Sequence, residues 1–140
     1  VQVMTDADRI KVALATIDEA LATHVVYEYR MMKHSVVVLA REAPESLVHI
    51  LALEAFLLHY RNLLHFLKPP GRVESTDLLA RRYIGKDVAV SEEHRKGLHR
   101  WLAHLTTDRL AVFDGYRKKW PVWEMVCLLE EAWSNFVEQL

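Results

Sequence analysis

The chain has 140 residues, 51% of them hydrophobic and 26% charged, which is the length of one domain and a composition that excludes a disordered segment. Its 18 basic and 19 acidic residues leave a formal net charge of −1, which excludes the global basic excess of many nucleic-acid-binding domains and requires any RNA contact to use a local patch. The lone cysteine, Cys127, excludes an intrachain disulfide and fits a reducing, cytoplasmic setting.

The glycines and prolines punctuate the chain into four helical stretches. The first runs from Thr5 or Asp6, either of which can cap it, to Arg41, as one helix or as two with a bend near Thr23–His24. Its Val36-Val37-Val38 run is β-branched but too short and too lacking in alternation to be a strand. The second stretch is Pro44 to Lys68, with a proline in its first turn and a lysine in its last. The third runs from Glu92, after the N-cap Ser91, to Asp114, and the fourth from Pro121 to Leu140. The connection before the third is long enough to hold an element of its own, and Thr76 to Tyr83 is the place for a short helix. No repeat or linker divides the chain, so residues 1–140 read as a single all-α domain, an up-and-down bundle of four to five helices. The opening residues lack the apolar run of a signal peptide, and Glu, His or Arg interrupts the longest apolar stretches, so the sequence predicts no membrane span.

The second stretch carries the most information. From Leu47 to Leu67 its apolar residues go nearly all the way round a helix, which predicts a central, buried helix. Against that background Glu54, Arg61 and His65 fall within a sector of about 40° and form one polar line, with Asn62 beside it. Charges in apolar surroundings are costly unless paired, so this line faces water, a cleft or partners on another helix. The third stretch offers such a partner: Arg109 shares a stripe with Leu98, Leu102, Leu105 and Val112 and is placed to pair with Glu54. His104 lies about a third of a turn off that stripe, at the edge of a cleft or in solvent.

Other chemistries fail on spacing. His94, His99 and His104 are five apart, which turns each by about 140° from the last, so they cannot share a zinc ion from one helix face. No Glu-x-x-His pair suits a di-iron bundle, and no glycine-rich phosphate loop or nucleophile elbow is present. Cys127 lies in an apolar run and reads as a buried thiol, and the four tryptophans read as core and interface. No metal or cofactor is expected.

Three segments carry a resemblance: Ala52 to Leu67 (ALEAFLLHYRNLLHFL), Leu98 to Arg109 (LHRWLAHLTTDR) and the shorter Asp77 to Tyr83. They look like the signatures of a group of small bacterial helical proteins similar in plan to the HEPN superfamily. That resemblance covers about a quarter of the chain. It implies a HEPN-like bundle, a homodimer, and metal-independent cleavage of RNA at a cleft between copies. Arg61-Asn62 followed by His65 matches the superfamily's order of Arg, polar residue and His, with three intervening residues where the active motif has four to six. On this resemblance Arg61 clamps phosphate, His65 and His104 act as catalytic acid and base, and Asn62, Glu54 and Arg109 support them. A second reading is a non-catalytic bundle that dimerises or docks a protein partner, its polar line serving only to fix helix register.

Overall fold

The structure, a computed structural model, describes residues 19–44, 46–69, 71–90 and 121–140. The expected start of the first stretch and the whole of the third, with His104 and Arg109, lie outside the described residues. Among the described residues 73% are helical and none is in a strand, as an all-α chain requires. A π-helical turn at Leu21–Val25 leads into α1 (Val26–Arg41); α2 is Leu47–Leu67, α3 the single turn Arg81–Ile84, and α4 Val122–Gln139.

The π turn contains Thr23 and His24, where the sequence predicts a bend, and the valine run at 36–38 is helical. α2 begins three residues later than its proline suggests. Ser46 takes extended backbone angles and its hydroxyl accepts the His49 N–H at 3.2 Å, which makes Ser46 the cap. The chain after α2 is fastened to the end of that helix. Phe66 O accepts the Ala80 N–H at 2.8 Å, and Leu67 O accepts the Val88 N–H at 3.0 Å. The last carbonyls of a helix have no intrahelical donor, so these bonds satisfy groups that would otherwise be orphaned. They also keep residues 76–80 out of a helix, which explains why α3 is shorter and later than the expected Thr76 to Tyr83. Gly85, at φ +76°, ends α3 in the left-handed conformation that glycine tolerates best.

α1 runs antiparallel to α2, since Glu28 near its start meets His59 far along α2. α4 packs antiparallel to α1 and parallel to α2: Tyr29 stacks on Trp133 at 4.6 Å, and Phe66 meets Phe136 edge-on at 5.1 Å. Alternating steps of four and three build the core, with Phe56, Tyr60, Leu63 and Leu67 on α2 against Met125, Leu129, Ala132 and Phe136 on α4. Met32 and Val25 complete it from α1 and the π turn.

Two expectations are corrected here. α2 is not buried all round, for Leu47 is 71% exposed and Leu51 and Leu58 each 54%. α1, α4 and the connection cover one side of it and leave the other open. Cys127 is exposed rather than buried, because α4 turns its Met125–Leu129–Ala132–Phe136 stripe inward and Cys127 falls out of that phase. Of the tryptophans, Trp123 is exposed and Trp133 is partly buried. By length and composition alone α2 is also long and apolar enough to cross a membrane, at a mean hydropathy of 1.2, despite the interruptions by Glu54, His59 and Arg61. The core helix of a soluble protein meets the same criterion.

Candidate functional site

The polar line lies on the open side of α2. Glu54, Arg61 and Asn62 are exposed, and His65, one turn beyond Arg61, is part-buried. Arg61 and Glu54 have no ion-pair partner among the described residues. His65 does have one. Its Nε2 lies 3.4 Å from Asp77 Oδ2, a long contact that strengthens when the imidazole is protonated.

Asp77 reaches His65 because of the fastening just described. Ala80, three residues on, is tied to Phe66, the neighbour of His65. A tight turn then sets the carboxylate: the Asp77 N–H donates to Glu74 O at 3.1 Å, and Asp77 Oδ2 accepts the Glu74 N–H at 2.9 Å. The Glu74 N–H, then His65 and the charge of Arg82, hold the Asp77 carboxyl below its ordinary range against a smaller opposing effect of burial. Arg82 itself donates to Ser75 O at 2.5 Å, and Arg81 pairs with Asp87 at 2.9 Å. The end of α2 thus gathers one histidine held by a carboxylate, with Arg61 and Asn62 a turn away and Arg82 across the turn. A histidine so oriented can take up and release a proton, and an exposed guanidinium can hold an anion.

The sequence reading singled out His65, Arg61, Asn62 and Glu54. The structure brings His65 to Asp77, and puts the other three in line along one face without contact between them. It adds Asp77 as the partner of His65. The signal available for Asp77 was its position at the head of the Asp77–Tyr83 segment.

A second histidine–carboxylate pair lies toward α1. His59 is buried, its Nδ1 is 2.6 Å from Glu28 Oε2, and its ring meets Tyr27 edge-on at 5.9 Å. This pair joins two helices from within. Between α2 and α4 a cleft of about 300 Å3 is lined by Tyr60, Leu64, Lys68, Leu128, Glu131 and Asn135, among others. Burial pushes the Tyr60 hydroxyl there above its ordinary range. None of the residues singled out from the sequence lines this cleft, so its volume does not locate their chemistry. No group of three or more potential metal ligands occurs among the described residues. The chain matches no protein-family model, no curated protein and no solved structure.

Proposed function

We propose that this chain is a HEPN-like, up-and-down bundle of four to five helices that binds RNA and cleaves it without a metal, as a toxin or defence component in the cytoplasm. The observation that carries this reading is His65, held by Asp77 at the open edge of α2 with Arg61 and Asn62 one turn away. In the reaction the 2′-oxygen of RNA attacks the adjacent phosphorus as His65 removes its proton. The bond from phosphorus to the 5′-oxygen breaks, and a second acid, His104 on this reading, returns a proton to the leaving oxygen. Arg61 binds the phosphate and stabilises its growing negative charge. Asn62 orients the phosphate, and Glu54 and Arg109 support the two arginine-bearing helices.

The test is cleavage of a mixed RNA pool in EDTA by the purified chain, beside an Arg61→Ala, His65→Ala double variant. Both side chains leave the fold's core untouched, so the variant should stay folded and lose cleavage by at least about a hundredfold. Equal cleavage by a folded variant would remove the site from α2. Absence of cleavage in both would favour the second reading, a non-catalytic interaction module, which the exposed leucines on the same face of α2 support.

A further inference from the structure

We infer that the open face of α2 is a pairing surface for a second copy of this chain, antiparallel, about a two-fold axis at the level of Leu58, with Glu54 of each copy against the partner's Arg61. The argument begins with the helical wheel. At about 100° per residue, Leu47, Leu51 and Leu58 fall within about 40° of one another and form a leucine line. All three are at least half exposed, in a helix whose sequence is apolar all round. Contiguous exposed leucines of this kind mark a contact surface. Glu54 and Arg61 flank the line on the same side, about 20° apart on the wheel.

Their spacing selects the occupant. Glu54 and Arg61 lie at equal distances, about 5 Å along the axis, from the level between Leu57 and Leu58. A two-fold axis at that level, perpendicular to α2, turns the helix end for end and keeps each flank on its own side. Glu54 then meets the partner's Arg61, and Arg61 meets the partner's Glu54, while Leu58 packs on the partner's Leu58. A parallel pair would set Glu54 level with Glu54 and Arg61 level with Arg61. Both charges are exposed and neither has an ion-pair partner among the described residues, so both are available. The face is thus complementary to itself in charge in one orientation, as an isologous contact must be.

The contact is small. A helix of 21 residues is about 31 Å long, and a strip about 10 Å wide covers roughly 300 Å2 per copy. That is below the roughly 800 Å2 per partner of a standard stable interface, so the dimer should form at micromolar concentrations or above. Arg61 keeps donors for other work, because a guanidinium has five N–H groups and a carboxylate engages two. The partner's Glu54 would therefore sit beside each candidate site, one turn from His65, without closing it.

Sedimentation of the full chain over about 1 µM to 1 mM tests this, on wild type, Glu54→Arg, Arg61→Glu and the double charge swap. The wild type should show a concentration-dependent dimer. Each single swap should weaken it at least about tenfold, and the double swap should restore it to within about threefold of wild type. Leu58→Gln, which leaves both charges in place, should weaken it as well. A wild type that stays monomeric, or a double swap no tighter than the singles, overturns the inference. It does not depend on catalysis: a dimer without RNA cleavage leaves it standing and removes the proposed activity, and cleavage by a monomer does the reverse.

Discussion

Asp77 owes its low proton affinity to a backbone N–H before any side chain, since the Glu74 amide contributes most and His65 and Arg82 add to it. A carboxyl whose folded-state pKa lies below its unfolded value of 3.8 stabilises the fold at pH above that value. The contribution is lost as pH falls through the lower folded-state value. Asp77→Asn should therefore melt below wild type at about pH 6, and the gap should close on acidification below about pH 4. Thermal melts followed by circular dichroism across that range give the answer, and a gap that persists unchanged in acid would mean that Asp77 acts through shape and not charge. Tyr29 shows the opposite sign. Burial first, and then the Glu130 carboxylate that accepts its hydroxyl, push it up to about 12, so the phenol stays a donor throughout the neutral range. The histidine of the candidate site was legible in the sequence because a helical wheel places His65 with Arg61. Its carboxylate was not, because the contact crosses a turn shaped by backbone hydrogen bonds at Glu74 and Ala80, and side-chain patterns do not encode those.

The elements follow from local chemistry where a side chain or a glycine sets their ends. Ser46 accepts the His49 N–H at the start of α2, and removal of that acceptor leaves a helix-terminal donor unmet. Ser46→Ala should cost about 1 kcal/mol, within the roughly 0.5–2 kcal/mol seen for such caps, read as a lower urea midpoint at unchanged slope. A loss near zero would mean that water replaces the hydroxyl. Helix type and approximate extent were legible for α1, α2 and α4 from periodicity and proline placement. α3 was misjudged because Ala80 gives its N–H to Phe66, a tertiary bond that ends any helix through residues 76–80. The burial of α2 was overestimated for a related reason. Hydropathy records that Leu47, Leu51 and Leu58 favour a dry surface, and it does not record which neighbour supplies one. Cys127 fails the same way, since its apolar neighbours in sequence point to different sides of α4.

At the scale of the molecule, α4 is what closes the described core. Tyr29 of α1 stacks on Trp133 and donates to Glu130, and Lys33 of α1 pairs with the same carboxylate. Phe136 sits where the other elements converge. It is fully buried, meets Phe66 of α2 at 5.1 Å and Tyr83 of α3 at 6.3 Å, and lies 5.6 Å from Trp133 of its own helix. An exposed ion pair such as Arg72–Glu74, 4.0 Å apart, contributes little beside it. Phe136→Ala removes a ring from a closed aromatic cluster and leaves a cavity, for which the cost is about 3–5 kcal/mol. That is a large fraction of the roughly 5–15 kcal/mol that holds a typical domain together. The loss should appear as a shifted midpoint of chemical unfolding, with near-ultraviolet and far-ultraviolet signals still moving together, because Phe136 joins α2, α3 and α4 rather than one pair of them. A loss under about 1 kcal/mol, or an aromatic signal that melts before the helices, would show instead that α4 docks on α1 and α2 as a separable unit. In that event the fastening of residues 71–90 to α2, and with it the His65–Asp77 contact, should survive the unfolding of α4.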